Sequence, residues 1–347
     1  MSDPKLQLDW QVIGHEPILR FLENSLVKRS LAHAYIFAGP AKIGKTTIAK
    51  RFCRFVICEK FTKLDFSVND LAQLGCGECN PCRMNAKGLY ADFHIVEREL
   101  NKSGVLKKNI SIEQIRNLRS RLNKRSYQNS YKVVLIPEAE ALSVEAGNGL
   151  LKFLEEPTPK TILILNVTDK NLVLPTILSR CQTLQFAPVP RETVYQDLLS
   201  RGLNNNDAWE IAALSAGRPT VAVQLAENKD VFDEYKKNIS DIFGLLTVSL
   251  SERWLRLDSL LGRAEQKQKS LAIMQNLSAI FRDLQLIQIY QDNLIQHVFL
   301  RDELSVLGRR NVSWFKKIKQ VQRGIDLVER NVTPRLVLET ILMTNED

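Results

Sequence analysis

The chain has 347 residues, 44% hydrophobic and 25% charged, with a net charge of +9. That length has room for two or three domains with separate cores, and no apolar run approaches the roughly 20 residues a membrane span needs. The start, "MSDPKLQLDWQVIG", shows no basic segment leading into an apolar stretch, so a soluble protein of the cytoplasm without a membrane partner is expected. The positive excess favours an anionic partner such as nucleic acid, although charge spread over a surface also serves solubility.

From residue 10 to about 185, short apolar runs alternate with helical patterns. "AYIFA", "FHIVE", "KVVLI", "TILILNV" and "TLQFA" lack polar alternation, as strands of a parallel sheet buried on both faces do. The first run leads into "GPAKIGKTT", which satisfies G-x-x-x-x-G-K-[ST] between a strand and a helix. Gly39 and Gly44 let the loop turn its N–H groups inward, and Lys45 brings a point charge to the β- and γ-phosphates. Thr46, followed by Thr47, offers a hydroxyl to Mg²⁺, so ATP with magnesium is the expected ligand class. The helix that follows, "TTIAKRFCRFVI", carries Ile48, Phe52, Phe55 and Val56 along one side.

Next comes "CGECNPC". Cys76, Cys79 and Cys82 bring three thiolates onto one knuckle, and Cys58 at the end of the preceding helix is the expected fourth ligand of a closed, structural zinc site; an iron–sulfur cluster is the alternative. Cys53 is expected in the core. In "SIEQIRNLRSRL", Ser111 and Gln114 stand as a capping box ahead of a stripe of Ile112, Ile115, Leu118 and Leu122. The surrounding Lys107, Lys108, Arg116, Arg119, Arg121, Lys124 and Arg125 suit either phosphate contact or a solvated face.

A P-loop protein needs an acid at the end of a neighbouring strand to hold the metal and orient water. "KVVLIPEAEAL" supplies the strand, yet Pro137 stands where an aspartate is expected. Glu138 is a candidate base and Glu140 a candidate metal holder, neither at the usual offset; equally, both could cap the following helix. Binding is therefore better supported than turnover. That following helix, "SVEAGNGLLKFLEE", stops at Pro157. Beyond "FAPVP" the strands vanish: a small helical unit runs to about Asn228 with a turn at "AGRP", and long amphipathic helices follow from about Phe232.

Taken together, "LAHAYIFAGPAKIGKTT", the cysteine knuckle, "GNGLLKFLEEP", "PTILSRCQ" and "VTPRLVLETILM" resemble the bacterial clamp-loader ATPases over essentially the whole chain, and within them the delta-prime branch. The resemblance implies an α/β AAA+ P-loop domain with an inserted zinc module (1–188, module 58–82), a small helical lid (189–230) and an all-helical collar (231–347). It implies a hetero-oligomeric ring with gamma/tau and delta types of subunit, a sliding clamp, and primer–template DNA. In the family the arginine of the Ser-Arg-Cys motif, here Arg180, reaches a neighbour's nucleotide. Motor members carry Asp-Glu where this chain has Pro137-Glu138, and a lid arginine near Thr220 where it offers Arg218, so weak or absent turnover is expected. Asn166 or Thr168 matches the family's sensor region. An active gamma/tau-type motor and a stand-alone AAA+ helicase are the competing readings.

Overall fold

The structure, a computed structural model, describes residues 8–62, 68–123, 126, 130–262 and 266–343. Lys124 and Arg125, and residues 63–67 of the expected zinc module, lie outside the described residues. The chain divides into two compact units, one of Met1–Thr193 with Arg218–Thr220, the other of Val194–Gly217 with Val221–Asp347.

The first unit is built on a parallel sheet of five strands: β1 (Ala34–Ala38), β2 (Phe93–Ile95), β3 (Lys132–Ile136), β4 (Thr161–Val167) and β5 (Gln182–Gln185), in the order β2-β3-β4-β1-β5. Every residue of β1, β3 and β4 is buried, which is why these segments read as continuous apolar runs. Alternate residues enter two cores. Tyr35, Phe37, Val133, Leu135, Ile162 and Ile164 face one of them, while Ile36, Ala38, Val134, Ile136, Leu163 and Leu165 face the other.

Among the described residues, seven helices accompany the sheet: α1 (Glu16–Val27), α2 (Lys45–Val56), α3 (Glu59–Thr62), α4 (Asn80–Ala86), α5 (Ile112–Leu122), α6 (Val144–Glu155) and α7 (Pro175–Leu178). The expected stripe of α2, from Ile48 to Val56, is buried in the first core. Ile115, Leu118 and Leu122 of α5 enter the second with Leu150 and Leu154 of α6. Both partners of the Ser111–Gln114 capping box are in place on α5, a device worth about 1 kcal/mol. Where α5 and α6 meet, a Cβ on Gly149 would lie 2.7 Å from Ile112 Cδ1, so a larger residue there would make the end of the Ile112 side chain shift.

The regular elements among the second unit's described residues are all helical: α8 (Arg191–Ser200), whose first three residues belong to the first unit, α9 (Asn205–Leu214), α10 (Pro219–Glu227), whose first two residues belong to the first unit, α11 (Lys229–Gly244), α12 (Leu250–Leu261), α13 (Gln266–Gln288), α14 (Arg301–Gly308), α15 (Trp314–Glu329) and α16 (Pro334–Met343). Its core is centred on α13, through Met274, Leu277, Ile280, Phe281 and Leu284, with Val321 and Val328 of α15 and Leu338 of α16. The carboxylate of Asp283 is fully buried and accepts from the backbone N–H groups of Gln296 and His297 and from His297 Nδ1 at 2.8 Å. In the basic stretch at 309–319, Lys317 turns inward, and its ammonium lies 3.5 Å from the carbonyl of Ile341. Among the described residues, no helix is long and apolar enough to cross a membrane.

Candidate functional site

The phosphate loop, residues 39–44, joins the end of β1 to the N-terminus of α2. Gly39 adopts φ +152°, and a Cβ there would lie 2.5 Å from the carbonyl oxygen of Phe186, so only glycine fits. Gly44, with φ +105°, caps α2 in the left-handed region and leaves the first N–H groups of the helix open to an anion. His15, itself at φ +67°, braces the loop from below: its Nε2 donates to the carbonyl of Ile43 at 2.9 Å, and its ring packs edge-on against Phe186. Thr220 N–H donates to the carbonyl of Lys42 from the other side.

Lys45 is 7% exposed and donates to the carbonyls of Gly39 (2.5 Å) and Pro40 (2.8 Å), folded back over its own loop. Burial draws its ammonium below the usual lysine range, and the nearby charge of Glu140 works against that. Parallel pairing sets Asn166 of β4 beside Phe37 of β1. From there its amide meets the hydroxyl of Thr46, the nitrogen 3.0 Å away. The loop borders a cavity of about 760 Å³, also lined by Arg98, Lys108, Pro137, Glu138, Glu140 and Thr168.

The two glutamates after Pro137 have different surroundings. Glu138 is half exposed, and its carboxylate accepts from Arg98 Nε at 2.7 Å. Glu140 is tied to the end of β4, where its Oε1 accepts from the backbone N–H (3.2 Å) and hydroxyl (3.0 Å) of Thr168. Of the basic residues before and on α5, Lys107 pairs with Glu99 and Lys108 borders the cavity, while Arg116, Arg119 and Arg121 on the helix are exposed. Arg180 lies outside the cavity lining, just beyond α7. Its guanidinium, about a third exposed, contacts Glu155 at 2.9 Å and the carbonyl of Thr176 at 3.0 Å.

A second centre lies at the far end of α2. The sulfurs of Cys58, Cys76, Cys79 and Cys82 all fall within 4.8 Å of one another, and this set could hold a metal ion. Cys58 and Cys82 are buried, Cys76 and Cys79 partly so. The thiol of Cys58 is drawn down to about 4, first by its hydrogen bond with Cys82 and then by backbone groups of Cys76, Lys60 and Gly75, against its burial. Cys82 is pushed up by the same shared bond, so the cluster favours at least one thiolate. Gly75 makes the knuckle's turn at φ +64°. Cys53 is fully buried in the core, where desolvation alone raises its thiol.

Sequence reasoning on these segments named the loop residues and all four cysteines but missed His15, Arg98 and the place of Lys108. Their contacts form across 28 to 40 residues of chain and follow no motif.

A glycine-bordered loop that joins β1, the strand next to the edge of a five-stranded parallel sheet, to α2, with a polar residue of the neighbouring strand β4 touching its threonine, has the arrangement of a P-loop α/β domain. The family model described as "DNA polymerase III, delta subunit" matches residues 14–190, just over half of the chain, and the chain belongs to that family. It is similar to DNA polymerase III subunit delta' of Pseudomonas aeruginosa, 36% identical over 197 residues, 56% of either chain. The subunit of the same name from Bacillus subtilis is 26% identical over 329 residues, 94% of each. DNA polymerase III subunit tau of Bacillus subtilis is 32% identical over 183 residues, 53% of this chain and 30% of the relative. The match thus spans about half of the Pseudomonas relative and under a third of tau.

Proposed function

We propose that this chain is a clamp-loader subunit of the delta-prime kind within a DNA polymerase III assembly. It takes its place in a ring with gamma/tau and delta types of subunit and supports ATP-dependent loading of the sliding clamp onto primer–template DNA in the cytoplasm. Arg180 acts in trans, stabilising charge on the phosphoryl group of a neighbour's ATP. The organisation into an AAA+ domain (1–188), lid (189–230) and collar (231–347) belongs to the same reading.

The observation that carries this reading is a division within the first unit. The phosphate loop is intact, with Lys45 and Thr46 in place, yet the end of β3 has Pro137 in place of an aspartate, and Glu138 is held by Arg98. Glu138 is at most a vestigial base, because its carboxylate is turned onto the Arg98 guanidinium instead of being free to orient an attacking water. Arg180 is well placed for use elsewhere: its pairing with Glu155 is solvent-exposed, and such a pair is worth about 0–1 kcal/mol, so a phosphate can displace it cheaply.

The cysteine cluster fits structural zinc. Four thiolates at bond lengths of about 2.3 Å in a tetrahedron stand about 3.8 Å apart, and the Cys58 and Cys76 sulfurs are 3.8 Å apart. A cluster of several irons would hold its cysteines further apart. The four sulfurs close the shell, so the ion would fasten the knuckle to the end of α2 and take no part in turnover.

The tau relative and the intact loop favour a second reading, a motor that hydrolyses ATP itself. Reconstitution with motor subunits decides between them. The stator reading expects Arg180→Ala to lower DNA-stimulated ATP turnover of the assembly by about 10³-fold at the site it completes, while the isolated chain turns over little. Unchanged turnover by the assembly refutes the role of Arg180. Turnover by the chain alone, abolished by Lys45→Ala, establishes the motor.

A further inference from the structure

The missing aspartate leaves the divalent cation of a bound nucleotide without its usual protein carboxylate, and two unbonded oxygens around the phosphate loop bear on where its replacement lies. Glu140 Oε2 and Asn166 Oδ1 are both cut off from solvent and have no hydrogen-bond partner. Asn166 is fully buried, and whichever way round its amide sits, one polar atom meets the Thr46 hydroxyl while the other is unsatisfied. Buried polar atoms without partners are rare and costly, and a bound ion is one thing that satisfies them. Asn166 meets the hydroxyl that offers itself to magnesium in a P-loop, and Glu140 lines the same cavity as that hydroxyl.

Glu140 is also prepared for the task. Its Oε1 is held by two donors from Thr168, which fixes the carboxylate and leaves Oε2 unengaged, and its charge reaches Lys45. Glu138 is engaged by Arg98 and sits half in solvent. We infer that Glu140, three residues past the proline at the end of β3, is the carboxylate that holds the divalent cation of a nucleotide bound at this loop, with Asn166 and Thr168 as positioning residues. The inference rests on the nucleotide-binding part of the reading above and extends it. Magnesium is held by an acid recruited from the short turn after β3, while the acid placed to activate water is tied to an arginine. Such a pocket binds magnesium with the triphosphate and turns it over slowly.

The test is a fluorescence titration of the full chain with a fluorescent, non-hydrolysable ATP analogue, with and without Mg²⁺. Magnesium is expected to tighten binding by the wild type, and Glu140→Gln, which keeps an oxygen for Thr168, is expected to remove about tenfold or more of that gain. Thr168→Val is expected to lose part of it in the same direction. Equal melting temperatures of the free variants show that folding is intact. A magnesium gain untouched by Glu140→Gln, or lost in Glu138→Gln instead, overturns the assignment and leaves nucleotide binding standing. Absence of analogue binding by the wild type overturns both.

Discussion

His15 shows how much a single side chain contributes to the phosphate loop. It starts α1 from a left-handed conformation, donates to Ile43, and is half enclosed by Phe186, so its neutral form is the one that fits. Burial draws its pKa below 6.5, against the smaller upward pulls of Ile43 and Glu16. The folded value is depressed, so the unfolded chain takes up the proton first as the solution is acidified. The contribution to stability is complete above 6.5 and is lost as pH falls through the folded value. His94 on β2 acts in the same direction, again chiefly through burial. Urea unfolding of the first unit should therefore show a midpoint that drops between pH 7.5 and 5.5. His15→Asn, which tolerates the left-handed backbone and has no proton to gain, should reduce that drop while costing about 1 kcal/mol at pH 7.5. An unchanged pH dependence in the variant would remove His15 from this account.

At the level of elements, β1, β3 and β4 were legible because burial on both faces leaves mostly apolar residues; four of the five segments read as strands share their first residue with a strand of the structure, and the fifth, "TLQFA", begins one residue after β5 does. The capping box and the α2 stripe were legible for the same kind of reason, a short-range pattern with a physical cause. What escaped was contact made across the sheet. That the charge of Glu140 reaches Lys45 and that Glu138 pairs with Arg98 depends on the short turn of residues 139–141, which no periodicity encodes. The knuckle falls between these cases: spacing named its four sulfurs, but only the fold shows them within 4.8 Å at the end of α2. That closeness carries a prediction. Metal analysis of the protein purified under reducing conditions should find one zinc per chain, and Cys79→Ser should lose it. Removal by a strong chelator should cost several kcal/mol of unfolding free energy, because binding and ordering of the knuckle are one event. Iron in multiples per chain would favour the cluster alternative.

For the whole molecule, the two compact units have separate cores, the first around the sheet and the second around α13. Units with their own cores generally unfold as their own transitions. The groups that respond to ligands all lie in the first: the phosphate loop, Glu140, Asn166 and the four cysteines. The second has its own marker in Asp283, whose buried carboxylate satisfies three donors, two of them backbone N–H groups, so that Asp283→Asn leaves at least one of them poorly paired at a cost of about 1–3 kcal/mol. Calorimetry should then resolve two transitions that move independently. A magnesium–ATP analogue at a hundred times its dissociation constant adds about 2.7 kcal/mol to the unit that binds it, which raises one transition by about 5–10 °C and leaves the other in place. Zinc removal should lower that same transition, whereas Asp283→Asn should lower only the other. If ligand and Asp283→Asn shifted a single shared transition, the chain would be one cooperative body, and nucleotide bound at the loop would be felt directly by the helices around α13.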